Sequence, residues 1–262
     1  PTYIKTFPQH DALPYYTLSH HDALPISLDA LACPALETLL TRSRHHRRPP
    51  LSLEATLADA FGLPHGAPYA ALRLLGETGA PLPEGGGWLC ADPVHLRFQQ
   101  ERLILADSGS FALEEDEATL IVGELNRYFP DIGVFHIATS QRWYLELAAK
   151  TGATLGEFGE FDVPPLSAIA GRRVERQLPE TKQAGWLRRF LNEAQMLLHS
   201  HPANAAREST GRLPINSLWL WGAGSLPQAM EKRFDSVWSN NPLALGLGRA
   251  AGIPTHAVDR KS

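Results

Sequence analysis

The chain has 262 residues, 44% hydrophobic and 20% charged, with a formal net charge of −4, the profile of a soluble globular protein of one or two domains. That balance leaves no electrostatic footprint for nucleic acid, because the basic run Arg42–Arg48 is local and meets Pro49-Pro50, as a solvated helix end or linker does. No apolar stretch approaches the ~20 residues a membrane span needs. Cys33 and Cys90, far apart and without C-x-x-C spacing, argue against a disulfide framework or zinc site and suit a reducing cytoplasm.

At the N-terminus the pentapeptide His-Asp-Ala-Leu-Pro occurs at His10–Pro14 and again at His21–Pro25, a spacing of about 11 that is too short for a solenoid repeat. Written as GCT CTT CCG ATC, Ala23-Leu24-Pro25-Ile26 has the reverse complement GAT CGG AAG AGC. That complement reads Asp-Arg-Lys-Ser, the residues Asp259–Ser262 that end the chain. Both strings resemble translated ends of a short-read sequencing adaptor. Residues 1–27 and 259–262 are therefore set aside from fold reasoning, and the natural protein is expected to be longer on one or both sides. The N-terminal stretch, with four prolines and no helical or strand period, is expected to be disordered and not to pack.

Leu36–Arg44 and Leu51–Phe61 read as short helices, the second stopped by Gly62. A Gly- and Pro-rich loop follows over Gly76–Gly87. Trp88–Ala91 and Arg102–Ala106 read as strands. Glu114–Phe129 is an amphipathic helix with an acidic first turn and one apolar face of Ala118, Ile121, Val122, Leu125 and Phe129. Val134–Ala138 and Arg142–Leu147 alternate on either side of Thr139-Ser140 and predict a hairpin. Lys150–Glu180 lacks pattern and reads as a linker. Ala184–His199 is a second strong helix, with Leu187, Phe190, Leu191, Ala194 and Leu198 on one side. Ser217–Trp221 is a strand entering Gly222-Ala223-Gly224, and Asp235–Trp238, then a helical Pro242–Ala251, predict a parallel sheet in the C-terminal part. Four parts result: a helical region over 28–87, a β-β-α-β-β subdomain with linker over 88–180, an α/β part over 181–258, and the two set-aside ends.

Chemistry-bearing side chains concentrate between His201 and Gly224. Asn204, Arg207 and Asn216 are candidates to hold a phosphate or carboxylate, Arg207 through its planar fork, and the glycines after the strand let a backbone approach a ligand. The competing reading gives Asn204 and Asn216 to turn backbone and packs Trp219 and Trp221 on the sheet. Asp92, Asp107 and Asp116 fall near predicted turns and helix starts, where carboxylates serve as caps. His199 and His201, two apart, point differently on a helix, which weighs against their forming a metal pair at the helix end.

The run H-P-x-N-x-x-R-x-x-x-G-x-x-P-x-N-S-x-W-L-W-G-x-G, from His201 to Gly224, resembles the corresponding stretch of archaeal-type 2,3-bisphosphoglycerate-independent phosphoglycerate mutases. Weaker similarity reaches back through Leu125-Asn126 and Gln141-Arg142-Trp143-Tyr144. The reading frame as a whole is also similar to bacterial RpfE-type regulatory proteins. What the resemblance implies is an α/β fold: a partial alkaline-phosphatase-like sheet carrying the β-β-α-β-β unit as an inserted α+β subdomain. It also implies two divalent metals, manganese or zinc, and a phosphorylated serine that move a phosphoryl group between the 2- and 3-hydroxyls of glycerate. This chain lacks the Asp-Gly dipeptide that opens the family's metal site, an alignable nucleophile motif and the downstream Asp/His cluster. Arg142, His201, Asn204, Arg207 and Asn216 match the family pattern and are the candidate anion contacts; no catalytic residue, metal ligand or cofactor is assigned within this stretch. The expectation is a non-catalytic regulatory or anionic-metabolite-binding relative, cytoplasmic, with a small anion as partner and neither nucleic acid nor membrane. The alternative is a metal-dependent mutase whose ligands lie outside this stretch, and the plainest option is a structural protein without a ligand.

Overall fold

A computed structural model describes residues 34–44, 50–64, 66–83, 87–99, 102–148, 163–171 and 185–258. Residues 1–27 and 259–262, the core of the basic run and most of the predicted linker lie outside the described residues. The chain divides into two units at Pro50. In the first, α1 (Pro34–Arg42) carries Glu37 in its first turn and Arg42 in its last, both favourable to the helix dipole.

The second unit opens with α2 (Leu53–Ala60), whose N-cap Ser52 accepts the Ala55 N–H. It is followed by α3 (Tyr69–Thr78), an element the sequence reading did not anticipate. Tyr69, Ala70, Ala71, Leu72, Arg73, Leu74 and Gly76 are all buried, so α3 lacks the polar stripe by which amphipathic periodicity reveals a helix. Gly79 ends it in the left-handed region at φ 67°.

The long strand β1 (Trp88–Gln99) organises the sheet. It runs antiparallel to β2 (Arg102–Asp107), β4 (Arg142–Leu147) and β5 (Ser217–Gly224). Trp88 and Cys90 face both β4 and β5, and Val94 faces both β2 and β5. Hence β4 and β2 share one edge of β1, end to end, while β5 takes the other. The hairpin partner β3 (Gly133–Thr139) closes the β4 side. The parallel sheet expected from β5 onward is corrected: β5 joins the antiparallel sheet, and parallel pairing is confined to β6 (Val237–Trp238) and β7 (Thr255–His256), two residues each. Between these two lies α8 (Pro242–Ala250).

Alternation along the strands distributes side chains to two cores. On one face Trp88, Cys90, Val94, Tyr144, Trp219 and Trp221 meet α2, α3 and α8. On the other, Leu89, Ala91, Phe135, Trp143, Leu145, Leu218 and Leu220 meet α4 (Glu115–Tyr128), α6 (Gly185–His199) and α7 (Pro202–Ser209). The single turn α5 (Leu166–Ile169) adds Ile169 to the first core. The result is a mixed α/β arrangement with helices on both faces of an antiparallel sheet. The apolar faces predicted for α4 and α6 are the buried ones, Leu191 being partly covered.

The α3–α8 crossing is very close. A Cβ added to Gly76 would lie 1.7 Å from the Pro242 carbonyl oxygen, and one added to Gly246 would lie 1.7 Å from that of Leu72. Arg249 fastens the crossing by donating from Nη1 to the Leu75 and Gly76 carbonyls at the end of α3.

Candidate functional site

His201 is the N-cap of α7. Its Nδ1 accepts the Ala203 N–H at 3.1 Å, and Pro202 at the first helical position needs no such partner. Asn204, 1% exposed, accepts the Ile215 N–H at 2.8 Å and donates to the Ile215 and Leu198 carbonyls at 2.7 and 2.8 Å. Arg207, 0% exposed, donates from Nε to the Leu213 carbonyl and from Nη1 to Glu117 at 2.6 Å, over the ring of Phe111. Its Nη2 is buried without a hydrogen-bond partner. Glu117 also returns to the Glu114 N–H as half of a capping box and pairs with Arg212. Asn216 bonds both the N–H and the C=O of Leu96, at 2.7 and 2.8 Å, prolonging the β1–β5 seam beyond the paired residues.

Arg142 stands elsewhere. It reaches Glu77 of α3 with Nε and Nη2 at 2.9 and 3.1 Å, on the face of the sheet opposite Arg207. Its side chain is 38% exposed, the partner carboxylate 7%. The structure therefore groups His201, Asn204 and Arg207 on and around α7, sets Asn216 at the β1–β5 seam, and keeps Arg142 apart. The Gly222-Ala223-Gly224 stretch receives protein rather than open space: added Cβ atoms there would lie 2.8 Å from Tyr69 Cβ and 2.5 Å from Pro68 Cβ. These glycines let the start of α3 rest against β5.

Beneath α3 runs a polar chain absent from the sequence reading. Arg142 holds Glu77, and Glu77 accepts the Tyr144 hydroxyl at 2.5 Å. The Tyr144 oxygen accepts from Arg73 Nε at 2.7 Å, and Arg73 forks onto both oxygens of Asp92 at 2.9 and 2.6 Å. Asp92 also accepts the Trp221 indole N–H at 2.8 Å. Two full ion pairs thus lie in line, with Arg73 over the rings of Tyr144 and Trp221. Asp92, read from sequence as a cap near a turn, is the middle of a buried strand. Burial pushes the Tyr144 phenol well up, with Arg73 opposing, and likewise raises the Cys90 thiol. These groups stay in their uncharged forms at neutral pH. Arg73 and Asp92 come from segments without a local motif, so no spacing signal could have joined them. Among the described residues, no group of three or more His, Cys, Asp or Glu is placed to hold a metal ion. No helix among them is long and apolar enough to cross a membrane.

The described fold and site define a mixed α/β protein whose motif side chains bond its own backbone. No protein-family model matches the chain. It is 26% identical over 251 residues to the 2,3-bisphosphoglycerate-independent phosphoglycerate mutase of Methanosarcina mazei, covering 86% of this chain and 58% of that protein. To the probable enzyme of that name from Geobacter sulfurreducens it is 29% identical over 138 residues, 51% of this chain and 31% of that one. The solved cofactor-independent phosphoglycerate mutase of Thermoplasma acidophilum superposes with a TM-score of 0.40 at 18% identity, over 82% of this chain and 59% of that one. In sequence the chain is phosphoglycerate mutase-like, and it spans 58% of the length of the Methanosarcina relative.

Proposed function

We propose that this protein is a phosphoglycerate mutase-like protein that works without the two-metal chemistry, as a cytoplasmic regulatory or anionic-metabolite-binding protein of the RpfE type. The observation that supports this reading is the use of the shared motif. His201, Asn204, Arg207 and Asn216 each bond groups of their own chain, so the motif does the work of a scaffold. A transferred phosphoryl group needs activated oxygen, charge neutralisation and in-line positioning, and the buried carboxylates Glu77 and Asp92 are already committed to guanidinium groups. Anion contact falls to Arg142, whose side chain is 38% exposed beside its ion pair with Glu77.

The test is 2- and 3-phosphoglycerate interconversion with manganese present, followed by phosphorus NMR. The expected result is no interconversion, with metal-independent 3-phosphoglycerate binding that weakens about tenfold in Arg142→Gln, the size of one charge-assisted contact. Chelator-sensitive turnover would instead establish the mutase reading, which the similarity over 86% of the chain supports. Equal affinity in Arg142→Gln would remove Arg142 from the site.

A further inference from the structure

A guanidinium carries N–H donors on three nitrogens in one planar fork. Arg142 commits two of these side-on, Nε and Nη2 donating to the two oxygens of Glu77 at 2.9 and 3.1 Å. Its Nη1 has no hydrogen-bond partner among the described residues and is not a buried atom, so the end of the fork is open there to solvent. Glu77 is fixed from within. Its carboxylate, 7% exposed, accepts the Tyr144 hydroxyl at 2.5 Å, and the Tyr144 oxygen accepts from Arg73, which is forked onto Asp92. Burial pushes the Tyr144 phenol well up, so the hydroxyl keeps the proton it donates. Across the hairpin, His136, opposite Tyr144, is bonded to Glu146 at 3.0 Å.

We infer that Glu77 is the specificity-determining residue of the anion site, and that the group this site takes is a carboxylate rather than a phosphate; the inference rests on the contact proposed above for Arg142. Parallel N–H groups of a guanidinium match the two coplanar oxygens of a carboxylate, as the side-on pair with Glu77 already does. A ligand at the free end therefore meets one positive charge with a negative charge fixed beside it. Glu77 cannot swing aside without leaving the Tyr144 hydroxyl. Coulombic repulsion grows with the ligand's charge. A carboxylate meets it once, whereas a phosphate monoester, with close to two negative charges at neutral pH, meets it about twice. Glu77 thereby admits carboxylate metabolites and disfavours those whose one anionic group is a phosphate.

The test measures the affinities of 3-phosphoglycerate and of glycerol 3-phosphate, which has no carboxylate, for wild type, Glu77→Gln and Arg142→Gln. Wild type should prefer 3-phosphoglycerate, and Arg142→Gln should weaken that ligand while leaving glycerol 3-phosphate unchanged. Glu77→Gln keeps the shape and an acceptor for Tyr144 but removes the charge. Both ligands should bind it more tightly, and the preference for 3-phosphoglycerate should narrow by about fivefold, the upper size of one exposed charge pair. An unchanged preference in Glu77→Gln, or weaker binding of both ligands, would overturn the role of Glu77 and leave the contact at Arg142 standing. Binding of 3-phosphoglycerate that ignores Arg142→Gln, or that is absent from wild type and Glu77→Gln alike, would overturn both. Should Glu77→Gln fail to fold, nitrogen NMR of the wild-type Arg142 side chain decides. Glycerate, which has the carboxylate and no phosphate, should reproduce the shifts caused by 3-phosphoglycerate, and glycerol 3-phosphate should not. Any other pattern would overturn the inference.

Discussion

An asparagine side chain offers one acceptor and one donor group in a plane, as a peptide does. Among the described residues it substitutes for a peptide four times. Asn126 bonds the N–H and C=O of Phe135, Asn204 those of Ile215, Asn216 those of Leu96, and Asn240 those of Val258. Each closes a backbone group at a place where a strand begins, ends or runs along an edge, where unpaired polar groups would otherwise be costly. Asn204 is the most buried of them. Asn204→Ala strands the Ile215 amide and two carbonyls, and should destabilise the protein by about 3 kcal/mol in urea unfolding; a loss under 1 kcal/mol would mean that the junction relaxes around the gap. For Asn204 and Asn216 the sequence offered turn backbone as the alternative use. It could not show the partners, because Leu96 lies 120 residues from Asn216 and only the folded sheet brings them together.

Elements with one apolar and one polar face were legible. The helices α4 and α6 and the β3–β4 hairpin emerged from periodicity within a residue or two of their ends. Burial on all sides hid α3, and α7 was hidden by its polar composition, Pro202 to Ser209 having the side chains of a loop. A helix like α7 is held by its cap and its buried bonds rather than by an apolar stripe. The α3–α8 crossing makes the complementary point, since Gly76 and Gly246 matter for what they lack. Gly246→Ala puts a methyl group into the Leu72 carbonyl, and α8 must move. The cost should be about 3 kcal/mol or more, read as a lower melting temperature, while Gly211→Ala is no control because its φ of 71° is itself unfavourable. Gly123→Ala, with open space around the added carbon, should be neutral or stabilising.

For the whole molecule, the sequence conveyed the α/β class and the phosphoglycerate mutase likeness, but misplaced the last strand of the main sheet. A strand followed by a glycine turn and a helix is the pattern of a parallel unit; here β5 instead crosses back to β1, leaving the parallel unit to β6, α8 and β7. Burial lowers the pKa of His95, with its bond to the Pro214 carbonyl opposing. Its stabilising contribution is therefore present above the ordinary histidine value of about 6.5 and is lost as pH falls through the lowered folded value. Wild type should lose more stability than His95→Gln on acidification from pH 7.5 to pH 5; equal losses would remove His95 from the acid response. On the proposed function, the motif shared with the mutases builds the fold and makes no anion contact. A titration of wild-type protein with 3-phosphoglycerate, with the side-chain amides of Asn204 and Asn216 and the Arg207 guanidinium followed by NMR, checks this. These signals are expected to stay in place at saturation while those of Arg142 move. Saturable shifts centred on Asn204, Arg207 and Asn216 would contradict it.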